Sequence, residues 1–483
     1  MPECKHCNGG KWYQNSQSVQ QFKQPPKTKL ITGRISVNYA YSQGSLSTIN
    51  RGGYIPGSSV KQNQVYNLGY DSFGNMTSVS VGSGYTLAEY LYGAGDGNLA
   101  SMTYGNGTTI SYSYDPLDRV TEEYVDGTLK YSYEYNAEGD LSKKLDVTTG
   151  KAVNYEYDSL GRLIHSSQTV TDASGNVTTA QRTEHIYDSE NRISAQNWTL
   201  GTTDYSERYT YSTADGSLSY VQCTGFTDYA FTYDALKRLQ DRYNYYFRQT
   251  YSYRSYTKDG TTYTTTQPSQ ISYTARPGGT DFTAFSLNYG YTNDGNLASV
   301  TGTCRADLNA SYTYDDLGQL TGETNSSGSY TYTYDSYGNI RSSTDGTTTH
   351  SYTYGDSSWL DLLTAYDGHS ISYDEIGNPD SWHNSTGDWS LTWSNGRQLT
   401  GASKSGQSIS YTYDLAGTRD SKTVNGVTYS YITQNGQVVR QAGNGDTLDI
   451  IYDNNGSPYC LKYNGTPYYY VCNFSVASKT RVV

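Results

Sequence analysis

Residues 312–323 read YTYDDLGQLTGE, and residues 332–343 read YTYDSYGNIRSS. The same dozen positions carry the same kinds of side chain twice in close succession, so one local structure is being written repeatedly. Before the turn, Tyr alternates with Thr or Ser, as it also does in SYSY at 111–114 and KYSYEY at 130–135. A period of two places the rings on one face of an extended strand, and both residue types favour strands. Asp-x-x-Gly then supplies a turn. The Asp side chain can accept hydrogen bonds from the backbone ahead of it, and Gly serves where a positive φ is needed. A Leu, Ile or Val two residues later begins the return strand, so one repeat is one β-hairpin.

Further copies begin at positions 70, 92, 114, 135 and 157, with steps of 22, 22, 21 and 22 residues. The clearest turns are Tyr70-Asp71 with Gly74, Tyr157-Asp158 with Gly161, Tyr314-Asp315 with Gly318, Tyr334-Asp335 with Gly338 and Tyr413-Asp414 with Gly417. A lone hairpin is marginal in water, so each must lean on its neighbour. Some sixteen units, two strands each, make a sheet on the order of 150 Å along its path, and twisted sheets of that width curl. The expected fold class is all-β: tandem hairpins in a coiled, curved sheet, a partial hollow β-shell or spiral. Tyr contacts between neighbours are expected to hold it, with no independent globular core in the middle. A ring of that perimeter is only about 50 Å across, so the chain alone is expected to form an open barrel.

Two stretches break the rhythm. Between 233 and 291 the sequence predicts longer hairpins, with a turn at Lys258–Thr261 and a Pro-Gly-Gly loop at 277–279. Between 157 and 187, VTDASGNVTT predicts a lengthened loop. Residues 1–35 read as a polar, poorly ordered lead-in, 36–470 as the repeat region, and 471–483 as a non-repeat tail.

Composition agrees with an array. The chain has 483 residues, with 55 Tyr and 49 Gly against 6 Trp and 8 Phe, and removing Tyr from the 35% hydrophobic fraction leaves about a quarter conventionally apolar. Tyrosine must therefore supply much of the packing. A net charge of −12 without Lys/Arg clusters argues against nucleic acid as a partner. No apolar run is long enough to span a membrane, and the first residues lack the apolar segment of a signal peptide. Cys4, Cys7, Cys223, Cys304, Cys460 and Cys472 are too scattered for a disulfide scaffold. CKHC at 4–7 is the one metal-like spacing, and it lacks a second ligand pair, so neither metal nor cofactor is expected.

Repeated Tyr-Asp-x-x-Gly followed by Asn, Arg or Gln resembles the YD repeats of bacterial RHS proteins, a group of wall-associated and polymorphic-toxin proteins related to toxin-complex shells and teneurins. The resemblance covers roughly residues 36–470. It implies a spiral of hairpins forming a hollow shell around a C-terminal toxin or effector, in secreted or surface-displayed proteins. LKYNGTPYYYV at 461–471 looks like the approach to the shell-closing segment. The following CNFSVASKTRVV departs from the pattern, as a truncated or frameshifted end would. The closing segment, the cleavage aspartates and any toxin of the family therefore have no matching residues here.

The main functional expectation is a non-enzymatic structural shell region. The alternative is a surface module binding cell-wall glycans, for which Trp359, Trp382, Trp389 and Trp393 are the candidate aromatics, although Trp393 sits where the repeat expects Tyr. No catalytic residues are assigned. There is no nucleophile elbow, no phosphate loop and no metal-binding His pair, and His6, His165, His185, His350, His369 and His383 fall in unlike contexts. The repeated Asp residues sit in matching turns, whereas a catalytic pair needs two carboxylates in different surroundings, so they are assigned to the backbone. DNNGS at 453–457 lacks the twelfth-position Glu of a calcium loop.

Overall fold

The ladder of the computed structural model follows chain order. It describes residues 28–30, 36–54, 61–276, 282–303, 305–452, 456–471 and 481–482. Apart from one 3-10 turn at Ala306–Leu308, the regular elements among them are strands. Thr109–Tyr114 pairs antiparallel with Val120–Val125, that strand with Thr128–Tyr135, and that one with Leu141–Asp146. Thirty strands up to His369–Ser370 make one sheet, and eleven from Ser381–Asn384 onward make a second.

One feature of many repeats was hidden in the sequence. Tyr114 opposes Val120 while Ser113 opposes Glu122, so one residue of the return strand is skipped. The same skip precedes Tyr70, Tyr135, Tyr187, Tyr211, Tyr291, Tyr314 and Tyr452. A bulge bends its strand and re-aims the side chain beside it. Here the hydroxyl is delivered to the hairpin before. Tyr114 donates to the Leu99 carbonyl at 2.8 Å, Tyr135 to Val120 at 2.8 Å, Tyr187 to Leu163 at 2.9 Å and Tyr314 to Leu297 at 2.8 Å. Each such bond contributes about 1 kcal/mol.

The turn completes the staple. Asp158 Oδ1 accepts the N–H groups of Leu160 and Arg162 at 2.9 and 3.0 Å, and Oδ2 receives Arg162 Nε at 2.7 Å and Nη2 at 2.6 Å. The Arg162 guanidinium lies 4.5 Å over the ring of Tyr187, the tyrosine bonded to Leu163. The same triangle recurs at Asp115, Arg119 and Tyr135, and at Asp188, Arg192 and Tyr211. Tyr-Asp-x-x-Gly-Arg is thus a connector between hairpins as well as a turn. The Arg162 side chain, helped by the turn N–H groups, holds the Asp158 carboxyl below the usual carboxylate range. Its contribution to stability is therefore present above the unfolded value and lost as the pH falls through the lowered one.

The third turn residue after Asp needs a left-handed backbone: φ is +74° at Gly161, but also +63° at both Asn191 and Lys237. Asn tolerates this region and Lys does not. We expect Lys237→Gly to raise the unfolding free energy by about 1 kcal/mol, the relief of strain being partly offset by the entropy of glycine. Asn191→Gly is expected to change it little. Urea midpoints check both, and a destabilised Lys237→Gly variant would refute the strain.

The long hairpin appears as expected: Phe247–Lys258 pairs with Thr261–Ala275 around Asp259 and Gly260, with φ of +52° and +77°. Residues 277–279 lie outside the described residues. The lengthened loop after 157 is corrected. Leu163–Thr171 and Val177–Tyr187 are long strands joined by another Asp turn, in which Asp172 Oδ1 accepts the N–H groups of Ser174 and Asn176, both at 2.9 Å. Thr171 stands in the place of Tyr, which masked this copy. Within the expected lead-in, Thr28–Leu30 pairs with Ser36–Ser42. The rest of 1–35 lies outside the described residues. In the tail, Arg481–Val482 pairs with Tyr470 and Val471.

The chain divides into two units, each combining an early run of hairpins with a late one. The first comprises Met1–Ala152, Tyr332–Gly417 and Thr423–Asn425, and the second Val153–Thr331, Thr418–Lys422 and Gly426–Val483. In the first unit the runs meet through polar contacts. The Tyr66 hydroxyl reaches the Asp361 carboxylate at 3.0 Å, Tyr85 reaches Asp356 at 2.6 Å, and Lys144 Nζ reaches the Leu415 carbonyl at 2.8 Å. The second unit corrects the expectation of no core. Trp198, Leu200, Tyr205, Val221 and Tyr229 of the early run are buried together with Val439, Ile451, Tyr459 and Cys460 of the late one. Neighbour contacts along the ladder cannot exclude water from both faces of a sheet, and two facing runs can.

Candidate functional site

The four candidate tryptophans all lie in the first unit and all are half-buried. Trp393 follows the same bulge as the repeat tyrosines, and its Nε1–H donates to the Pro379 carbonyl at 2.8 Å. Pro379 holds the place in its repeat that Leu163 and Val120 hold in theirs, so the indole does the work of a tyrosine hydroxyl. Trp359 packs edge-on to Tyr85, with ring centroids 5.3 Å apart, and over Gly377, where a Cβ would fall 2.7 Å from the indole. Trp382 and Trp389 face each other across the hairpin Ser381–Asn384 and Gly387–Ser394. Trp382 stacks on Tyr366 at 5.5 Å, and Lys404 Nζ lies 4.8 Å over Trp389. Each of the four thus has a partner within the repeat array.

Around this hairpin the structure assembles a polar group that sequence reasoning missed. His383 and Asp388 are cross-strand partners, with Nδ1 and Oδ1 2.6 Å apart. Asn384 shapes the turn between them by accepting from the N–H and hydroxyl of Thr386. His369 comes from the previous hairpin, Ala365–Tyr366 and His369–Ser370, whose Asp367-Gly368 turn has φ of +49° and +79°. The His369 and His383 rings stack with centroids 3.3 Å apart and planes 11° from parallel. One ligand atom from each of His369, His383 and Asp388 lies within 4.8 Å of the others, so these three residues could hold a metal ion. Beside them His350 Nδ1 bonds Asp367 at 2.6 Å, and the His350 ring stacks on Tyr366. His369 and His383, which no sequence context related, are brought into contact by the fold. Fourteen residues separate them in sequence, and only the skipped ladder between the two sheets brings them together. The one legible signal was His383 and Asp388, symmetric about the turn at 385–386.

In the second unit a cavity of about 360 Å³ is lined by His185, Trp198, Glu207, Tyr209, Gln437 and Tyr452, among others. Glu207 is buried and accepts the hydroxyls of Tyr209, at 2.5 Å, and Tyr459. Burial, then the Glu207 charge, pushes the Tyr209 phenol up, so it stays a protonated donor. Burial likewise pushes up the thiols of Cys223 and Cys460, which keeps them in the unreactive form. Glu207, Tyr209 and Tyr459 satisfy one another, and the repeat aspartates do the same in their turns, whereas His185 Nδ1 and Trp198 Nε1 in the cavity lining are buried without a hydrogen-bond partner. The calcium-like stretch at 453–457 falls largely outside the described residues.

Comparison with known proteins places the array. The RHS Repeat profile matches residues 95–129 and 135–177, and the Teneurin YD-shell profile matches residues 267–477. Teneurin-4 of Mus musculus is 34% identical over 113 residues, and Teneurin-1 of Gallus gallus 33% over 113 residues. Each match covers 21% of this chain and 4% of the relative. Among solved structures, the Photorhabdus luminescens Tc holotoxin pore superposes with a TM-score of 0.62 at 15% identity, covering 95% of this chain and 28% of that one. The crystal structure of TcdB2-TccC3 gives 0.62 at 14%, covering 92% and 27%. The fold is therefore shared over nearly the full length, and this chain spans a small part of each relative.

Proposed function

We propose that this chain, an RHS/YD-repeat protein, serves as a stretch of shell wall that screens a polypeptide cargo, a toxin or effector in the bacterial members of its group. The role is structural and non-enzymatic. The observation that carries it is the likeness to Tc toxin structures over 95% of this chain, built from staples that repeat from hairpin to hairpin. A wall of this kind needs uniform hairpins that propagate, which is what the Tyr-Asp-x-x-Gly-Arg connector provides. Work outside the producing cell fits the reading, and no helix among the described residues is long and apolar enough to cross a membrane.

The wall is tested by small-angle scattering. A solid globule of 483 residues has a radius of gyration of about 23 Å, and an open wall is expected to exceed it clearly. A value at the globular figure would remove the wall. The cargo is tested with an unstructured polypeptide fused after Val483. It is expected to be cut more slowly by trypsin while the wall is folded than once urea unfolds it; equal cutting in both states would remove the cargo.

A further inference from the structure

We propose that His369, His383 and Asp388 bind one divalent transition-metal ion, with zinc the best match, and that the ion clamps the end of the first sheet to the start of the second. The donor set decides the class of cation. Two imidazoles and one carboxylate suit zinc, nickel or copper, whereas calcium and magnesium prefer oxygen alone. The spacing is near what such an ion demands. With bonds of roughly 2.0–2.2 Å, two ligands of one ion lie within about 4.4 Å of each other. The observed ligand atoms lie within 4.8 Å, and because the stacked imidazoles hold their in-plane lone pairs side by side, one ring turns out of the stack to close the site.

The scaffold presets all three ligands. His383 and Asp388 are fixed as opposite residues of one hairpin. His369 follows the two-residue Asp367-Gly368 turn, and Asp367 is tied down by His350 Nδ1 and the Ser351 N–H. The location gives the ion a purpose. The first sheet ends at His369–Ser370 and the second begins at Ser381–Asn384. Between them the ladder thins to an isolated bridge of Tyr373 with Pro379 and a few backbone bonds, among them Asp380 N–H to the Ser372 carbonyl and Leu391 N–H to the Asp380 carbonyl, both at 2.8 Å. A cation held by His369 on one side and by His383 and Asp388 on the other replaces missing ladder bonds with metal–ligand bonds. Three protein ligands leave a fourth position for water.

The test is calorimetric titration of zinc chloride into the full-length chain, free of any histidine tag and carrying Cys4→Ser and Cys7→Ser so that the N-terminal thiols cannot bind. One zinc per chain is expected. His369→Ala, His383→Ala and Asp388→Asn are each expected to weaken binding at least about tenfold, as loss of a ligand does. Cobalt substitution is expected to give visible bands without thiolate charge transfer. Zinc is expected to slow amide exchange over 365–370 and 381–390. These side chains are near the surface, so the apo variants should melt with the parent; His369→Gln replaces any that does not. Absence of zinc binding in the chain carrying Cys4→Ser and Cys7→Ser, or binding indifferent to both histidine substitutions, overturns the proposal.

Discussion

Asp449→Ala is expected to destabilise the second unit by about 3–5 kcal/mol, because it leaves a buried guanidinium without its counter-charge. The Asp449 side chain is 5% exposed and that of Arg440 14%. Arg440 Nε and Nη2 reach the two carboxylate oxygens at 2.5 and 2.7 Å, and the Tyr205 hydroxyl adds a bond at 2.5 Å. Arg440 Nη1 also holds the Leu200 carbonyl at 2.5 Å. These contacts join the early and late runs of this unit, at sequence separations of 240 and 244 residues. Replacing both charges together, Arg440→Met with Asp449→Leu, is expected to recover part of the loss, since an apolar pair avoids the desolvation that the ion pair incurs but removes these partners of the Tyr205 hydroxyl and the Leu200 carbonyl. Hydrogen exchange at amides 200–209 and 438–451 under rising urea reads this unit separately. A single variant that exchanges like the parent would show that the pair is solvated and that the two runs are held by something else.

The array was legible because its signals are local. Tyr alternation, the Asp turn and the Gly at positive φ all lie within about seven residues, and each acts through the backbone next to it. Asp158 and Gly161 do what their letters indicate. Two kinds of feature escaped. The bulge before Tyr114, Tyr135 and Tyr187 changes pairing by one residue and leaves no compositional mark, since Ser113, Glu134 and Ile186 precede it equally well. Contacts between distant runs escaped for the opposite reason: Tyr205 with Asp449, and His369 with His383, depend on where the ladder carries each strand. Trp393 was readable from its register alone, and the other three candidate tryptophans were not, because their partners Tyr85, Gly377, Tyr366 and Lys404 come from other hairpins. A repeat sequence thus specifies its unit and its propagation well, and the closure of one run on another poorly.

That difference leads to a second large effect, a contrast between two tyrosines that look alike in sequence. Tyr229 is 1% exposed, packs edge-on to Tyr459 with centroids 5.0 Å apart, and donates its hydroxyl to the Tyr459 carbonyl at 3.2 Å. Phe247 lies against the same ring at 5.9 Å. Tyr229→Ala is expected to cost about 3–5 kcal/mol through lost burial and the cavity left behind. Tyr229→Phe removes only the hydroxyl bond, about 1 kcal/mol. Tyr256, 48% exposed, stacks at 5.3 Å on its cross-strand partner Tyr263, and Tyr256→Ala is expected to cost about 0.5–1.5 kcal/mol. Both substitutions remove one ring from one strand, so the ratio of their effects measures where stability resides. If neighbour stacking along the ladder were the main support, the two values would be equal. If the facing of early and late runs is the main support, as the buried cluster around Tyr229 requires, the first exceeds the second severalfold in urea unfolding of the full chain.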